Sequence, residues 1–342
     1  MKKKFINKVP FFIAEISGNH GGNINGAKKL ILNAKKYGAD AVKLQTYTAD
    51  MMTLKNNEKI KNGIWKKENL WNLYHKAHTP LEWHKELFEF AKKIDIKIFS
   101  SPFSEYAVNF LETINCPAYK IASFEMNDLN LIRSVARTKK PLIISTGTFD
   151  LKDIQKTINF AKQNGATDIT ILYCVSAYPS EEKDFNLNNI KILGEKFNCR
   201  IGFSDHSIGS KMSEYAAIMG AEVFEKHIAT KSVKNAVDKK FSLMDRDIKN
   251  YKQNINQAYN LIKIKNFYRT EAELQNSYYR RSIYAIKTIK PGDIFTKENI
   301  VTLRPNKGIA ADEYINLLGK RNTKLIKKNT CLKKKQLKQL KR

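Results

Sequence analysis

From residue 11 to residue 230 the chain alternates between two rhythms. Short apolar or β-branched runs recur at Phe11–Ile16, Ala41–Gln45, Lys97–Ser101, Ala118–Ala122, Leu142–Ser145, Ile169–Cys174, Ile201–Asp205 and Val223–His227. Runs of this length with polar borders read as buried strands. Between them, apolar residues return every three or four positions, in Ala27–Tyr37, Leu81–Ile94, Leu129–Thr138, Ile154–Asn164, Leu187–Phe197 and Lys211–Met219, which predicts amphipathic helices. Strands that alternate with helices pair in parallel, because each crossover needs a connection that helices supply. Eight such units in about 250 residues predict a TIM (β/α)8 barrel. No Gly-x-Gly-x-x-Gly follows the first strand, which speaks against an open dinucleotide-binding sheet.

Two stretches depart from the rhythm. Residues Thr46–Thr79 are too long for a plain connection and carry Tyr47, Trp65, Trp71 and Tyr74, so an ordered lid is expected there. After a last long helix, about Ile248–Ile264, and a polar stretch at Thr270–Ser277, residues 287–300 are repeated at 324–337, an offset of 37. Gly292 aligns with Asn329, the two residue types most at ease with positive φ. The repeat turns the basic tail into half of a small β domain rather than a nucleic-acid arm. The expected division is a barrel over residues 1–268, a linker over 269–281 and the small domain over 282–342.

Composition narrows the class. Hydrophobic residues make up 42% of the 342, enough for a sizeable core. The 61 basic residues outweigh 33 acidic ones, but the lysines are spread along the chain, which favours a solvated basic surface over a nucleic-acid groove. Near the start, the apolar run Phe11–Ala14 stops at Glu15, short of an export signal, and no run approaches a membrane span. Cys116, Cys174, Cys199 and Cys331 lie far apart, which fits the reducing cytoplasm and no disulfide framework.

In a barrel of this kind, active groups belong at the C-terminal strand ends. Those ends offer Glu15, Asn19 and His20, then Lys43 and Gln45, Ser101, Lys120 and Ser123, Ser145, Tyr178, Ser204 and His206, and Glu225 with His227. Lys43 and Lys120 sit within apolar strands, where an unpaired ammonium is costly. With Ser101, Ser123, Ser145 and Ser204 they read as an anion cage, the alternative being pairing with Glu15 or Glu225. His206 and His227 close consecutive strands, near enough to share one divalent ion such as Mn²⁺, Mg²⁺ or Co²⁺, although such a pair also serves as acid–base or packing groups. His20 either bonds a substrate or fixes its loop; His75, His78 and His84 read as surface or packing residues.

Ala14-Glu-Ile-Ser-Gly-Asn-His20, Lys43-Leu-Gln45, Ser101-Pro-Phe, Lys120-Ile-Ala-Ser123-Phe-Glu125, Ser145-Thr-Gly, Ser204-Asp-His206 and Glu225-Lys-His227 resemble the sialic acid synthase family. The final residues, with Arg281-Ser-Ile-Tyr-Ala and Arg304-Pro, resemble its antifreeze-like (SAF) module. The resemblance implies condensation of phosphoenolpyruvate (PEP) with an acetamido sugar. It implies Lys43, Ser101, Lys120, Ser123, Ser145 and Ser204 for PEP, His206 and His227 for the metal, and Gln45, Glu125, Ser176, Tyr178, Asp238 and Arg304 for the sugar. Glu15 would face the cationic carbon or handle water. A domain-swapped homodimer is also implied.

Within that family, three features resemble the branch that uses 2,4-diacetamido-2,4,6-trideoxy-L-altrose. They are the insertion from Asn62 through Trp65 and Tyr74 to Trp83, the run Lys240-Phe-Ser-Leu243, and Ser176. Synthases of N-acetylneuraminic or legionaminic acid are the alternatives. A Schiff-base aldolase on the same barrel, with Lys43 or Lys120 as nucleophile, is the alternative of another class.

Overall fold

A computed structural model describes residues 4–264 and 266–337. The lysines at positions 2 and 3 and those beyond 337 lie outside the described residues. By internal contacts the chain forms two compact units, Met1–Ile264 and Lys265–Arg342.

In the first unit, eight parallel strands follow the apolar runs: β1 (Phe11–Glu15), β2 (Ala41–Thr46), β3 (Lys97–Pro102), β4 (Tyr119–Ile121), β5 (Leu142–Ser145), β6 (Ile169–Cys174), β7 (Arg200–Asp205) and β8 (Val223–Ala229). They pair in chain order, and β1 pairs with β8 to close the barrel, Glu15 facing His227. Every strand is almost wholly buried, because helices cover one face and side chains fill the other.

The crossover helices start where polar residues cap them. The Asn23 side chain accepts from Asn25 N at the head of Ile24–Lys36, and Asp128 and Asp150 do the same for Leu129–Arg137 and Leu151–Gln163. Each presents one apolar face to the sheet. Residues 46–79 are ordered, as the aromatics suggested, with helices Ala49–Met52 and Leu70–Ala77. A short strand β9 (Leu243–Met244) adds to β8 before the helix Asp247–Leu261. Among the described residues no helix is long and apolar enough to cross a membrane.

The second unit holds β10 (Ser282–Ala285), β11 (Ile300–Leu303) and β12 (Thr330–Cys331), around a core of Ile283, Ile289, Phe295, Ile300, Ile309, Ile326 and Leu332. The sequence repeat is a structural one. Ile289 and Ile326, equivalent in the repeat, exchange backbone hydrogen bonds with each other at 2.8 and 2.9 Å. Gly292 N–H reaches Asn322 O and Asn329 N–H reaches Ala285 O, both at 2.7 Å, two contacts related by the same offset. Both turn residues have positive φ, 91° and 61°. Residues 269–281 are not a bare linker: Thr270 and Glu273 form a capping box at the head of helix Glu271–Gln275 within the second unit.

Candidate active site

At the C-terminal ends of the strands lies a cavity of roughly 460 Å³. Of the fifteen residues to which the resemblance gives a role, eleven line it: Lys43, Gln45, Lys120, Ser123, Glu125, Ser145, Tyr178, Ser204, His206, His227 and Asp238. Four do not. Glu15 and Ser101 are fully buried below the floor, Ser176 hydrogen-bonds Ser123 at 2.7 Å from behind, and Arg304 is an exposed residue of the second unit.

Neither lysine is unpaired: both meet the glutamates that were the alternative partners to a bound anion. Lys43 Nζ lies 2.8 Å from Glu15 Oε2 and 3.2 Å from Glu225 Oε1, while Lys120 Nζ lies 3.4 Å from the same Glu225 oxygen. Lys43 Nζ also donates to Ser101 Oγ at 3.2 Å. Burial works against the Lys43 ammonium, but Glu15 and Glu225 outweigh it and hold its pKa above the ordinary value. Lys120 has one carboxylate rather than two, and burial lowers its pKa. Burial also disfavours the Glu225 carboxylate, yet the two lysines keep it ionised below the usual range. Glu15 therefore acts on Lys43, not on a substrate: its other oxygen accepts Ser17 N–H at 2.8 Å. Glu225, expected at a strand end but given no substrate role by the resemblance, lines the cavity with Glu125 and Asp238.

Above this layer, His206 and His227 stand with ring centroids 5.7 Å apart. His206 Nδ1 lies 2.9 Å from the Val175 carbonyl, so Nδ1 carries the proton and Nε2 is left for the cavity. Burial and the neighbouring His227 lower the His206 pKa to about 3, which keeps the ring neutral. His227 Nδ1 lies 3.3 Å from Asp238 Oδ2, the carboxylate–imidazole arrangement that orients a ligand ring. Asp238 is in turn held by Asn19, which accepts its backbone N–H at 2.8 Å. Among the described residues no cluster of three or more His, Cys, Asp or Glu converges on one point. His206 and His227 are the imidazoles that line the cavity, and they are the residues that could supply nitrogen to a metal ion. The side chains of Glu225 and Asp238 beside two imidazole rings are a mixed oxygen and nitrogen donor set that fits a divalent cation.

Glu125 sits on the wall between β4 and the solvent. Burial raises its pKa from the usual 4.5 to about 7. The unfolded chain loses this proton near 4.5 while the folded one keeps it to about 7, so stability falls as pH rises between the two. Glu125→Gln is expected to remove that loss, on the order of 3 kcal/mol at most, seen as a smaller drop in Tm between pH 5 and pH 8 than the parent shows. Glu125 Oε2, Ser145 Oγ and Glu225 Oε2 are buried with no hydrogen-bond partner among the described residues. Buried polar atoms are ordinarily bonded, so these are the atoms that a polar substrate would reach. Gly147, φ 42°, ends the Ser145-Thr-Gly motif because a Cβ there would lie 2.3 Å from that of Ser123.

The remaining wall was not legible from strand ends, since it comes from loops. Met52, Ile60, Trp65, Leu70, Leu73 and Tyr74 line one side. Trp65 is tied down by its Nε1–H to the Val237 carbonyl at 3.3 Å. Phe241 packs 4.9 Å from the His227 ring and 5.6 Å from that of Tyr178. His20 fixes its loop: Nε2 lies 3.2 Å from the Ala77 carbonyl, while Nδ1 accepts Gly22 N–H. His84 is a packing group bonded to Thr46, and Trp71 stacks on His75 away from the cavity.

Comparison with known proteins agrees with this geometry. A Helicobacter pylori protein named pseudaminic acid synthase is 43% identical over 327 residues, which is 94% of this chain and 96% of the relative. A Campylobacter jejuni N,N'-diacetyllegionaminic acid synthase is 34% identical over 95% of this chain and 99% of its own. The crystal structure of an N-acetylneuraminic acid synthetase from Leptospira borgpetersenii superposes with a TM-score of 0.72 at 28% identity, covering 80% of this chain and 92% of that one. Residues 280–338 match the SAF domain. Residues 30–266 match the NeuB family over more than half of the chain, and to that family the protein belongs.

Proposed function

We propose that this protein is a pseudaminic acid synthase, which joins PEP to 2,4-diacetamido-2,4,6-trideoxy-L-altrose and water, giving pseudaminic acid and phosphate. The observation that carries the choice of a 6-deoxy sugar over a 6-hydroxylated one is the apolar wall of Met52, Ile60, Trp65, Leu70 and Leu73. A 6-deoxy sugar with two acetamido groups presents methyls to such a wall. A sugar with a hydroxyl at C6 would bury it without a partner, at about 1–3 kcal/mol. The 43% identity to the Helicobacter protein of that name supports the same branch.

Lys43 and Lys120, with the hydroxyls of Ser123, Ser145 and Ser204, hold the carboxylate and phosphate of PEP through charge-assisted hydrogen bonds. The new bond forms between C3 of PEP and the aldehyde carbon, and C2 becomes cationic. Glu225 Oε2 is the anion that faces that carbon and then accepts a proton from the water that adds there. Collapse of the resulting tetrahedral centre expels phosphate. Glu125, protonated below about pH 7, donates to the developing alkoxide. Mn²⁺, Mg²⁺ or Co²⁺ held by His206 and His227 would supply Lewis-acid polarisation of the aldehyde oxygen. The proposal includes a cytoplasmic setting, which the four free cysteines fit, and a homodimer with exchanged SAF domains through which Arg304 serves the sugar.

Trp65→Ala tests the sugar wall. It is expected to raise KM for the trideoxy sugar roughly 10–200-fold while KM for PEP stays within about twofold of the parent, as read from initial rates of phosphate release. Equal rises for both substrates would contradict the assignment. The Schiff-base reading survives only at Lys120, because Glu15 and Glu225 hold Lys43 protonated. Borohydride trapping of a substrate adduct on Lys120 would favour it.

A further inference from the structure

On the opposite faces of the two histidine-bearing strands lies a charged pair that the chemistry above does not use. Asp205 on β7 and Lys226 on β8 are register partners, and both are fully buried, with Lys226 Nζ 3.1 Å from Asp205 Oδ2. Side chains alternate along a strand, so this pair points toward the helices while His206 and His227 point into the barrel.

Asp205 gathers the donors around it. Its Oδ1 accepts the Ser207 N–H at 2.8 Å and the Ser207 hydroxyl at 2.6 Å, and its Oδ2 accepts the Ser213 hydroxyl at 2.7 Å. An ionised carboxylate only accepts, so Ser213 gives it its one proton and accepts in turn from the Tyr251 hydroxyl at 2.7 Å. Lys226 Nζ also donates to the Ser207 carbonyl. His206 therefore lies between two anchored residues, 205 and 207, and His227 directly follows the anchored Lys226. A buried ion pair adds little stability over an apolar pair of similar size, so packing alone does not account for it.

We propose that Asp205 and Lys226, backed by Ser213 and Tyr251, are positioning residues that lock the ends of β7 and β8 and so fix the separation at which His206 and His227 meet a divalent cation. This rests on the metal reading of the two histidines. The test is the double variant Asp205→Leu with Lys226→Met, which leaves no buried charge unpaired. It is expected to fold and to keep its PEP affinity within about twofold. Its Mn²⁺ dissociation constant, by titration calorimetry, should rise roughly 10–100-fold. In spectra of the metal-free, ¹⁵N-histidine-labelled protein, the slowly exchanging His206 Nδ1 proton should be lost. A folded double variant that keeps both the Mn²⁺ affinity and the imidazole proton overturns the proposal. If the parent itself binds no Mn²⁺, the metal reading fails, and the imidazole proton decides: its loss upholds the clamp and its persistence overturns it. Should the double variant not fold, Ser213→Ala keeps the charges paired and is expected to move both readouts in the same direction, toward the lower end of that range; unchanged values there overturn the proposal.

Discussion

Replacing His206 or His227 by alanine is expected to abolish aldehyde-dependent phosphate release from PEP, with rates below about one thousandth of the parent's. The two rings stand at the ends of neighbouring strands, 5.7 Å apart, over a layer of paired lysines and glutamates. Removing either leaves a single nitrogen, too few for a cation that must also orient a substrate. The fold should survive, because His206 is held by one backbone carbonyl and His227 by one carboxylate at the cavity edge. Circular dichroism should be unchanged while Mn²⁺ binding by calorimetry is lost. A variant that keeps a near-parental rate would remove both histidines from the chemistry.

Lys43→Met should have the second largest effect, on stability as well as activity. Lys43 neutralises Glu15, which is wholly buried and has no other cation within ion-pair range among the described residues. Breaking a buried pair by removing one partner costs about 3–5 kcal/mol, since the surviving charge is stranded. In a barrel of this size that corresponds to a fall in Tm of roughly 6–20 °C. Adding Glu15→Gln to Lys43→Met should restore most of the Tm by removing the stranded charge, yet leave PEP binding lost. If the double variant regains activity along with stability, Lys43 is structural and the PEP site lies elsewhere.

Much of the fold was legible because its periodicities are clean. Each of the eight apolar runs became a barrel strand to within a few residues, and the 37-residue offset became a pair of related turns at Gly292 and Asn329. The helix Glu105–Thr113 was not singled out, being only nine residues long, although Ala107, Val108 and Leu111 are buried and Phe110 packs on the core. Strand ends located the site, but depth along a strand is invisible in a sequence. Glu15 and Ser101 therefore looked like substrate contacts and proved to lie one layer below, while Glu225 looked like a partner for lysine and also reached the cavity. Lys43 and Lys120 illustrate a second limit. A lysine in an apolar strand signals a compensating negative group, but not whether that group is a ligand or a glutamate from the opposite strand. Trp65 was expected in a lid and lines the cavity, whereas Phe241 could be placed in a loop but not over the cavity, since loop paths carry no period. Ser176 was read as a sugar contact, and the structure sets it behind Ser123.

The apolar wall and the two-histidine, two-lysine constellation together make one claim, that PEP is condensed with a 6-deoxy diacetamido aldehyde in preference to its hydroxylated counterparts. The direct measurement is to give the purified protein PEP, Mn²⁺ and an equimolar mixture of 2,4-diacetamido-2,4,6-trideoxy-L-altrose, its manno-configured isomer and N-acetylmannosamine, then to identify products by chromatography and mass. Pseudaminic acid should dominate, with one phosphate released for each molecule formed. Predominant N-acetylneuraminic acid, or no phosphate release with any of the three, would contradict the claim.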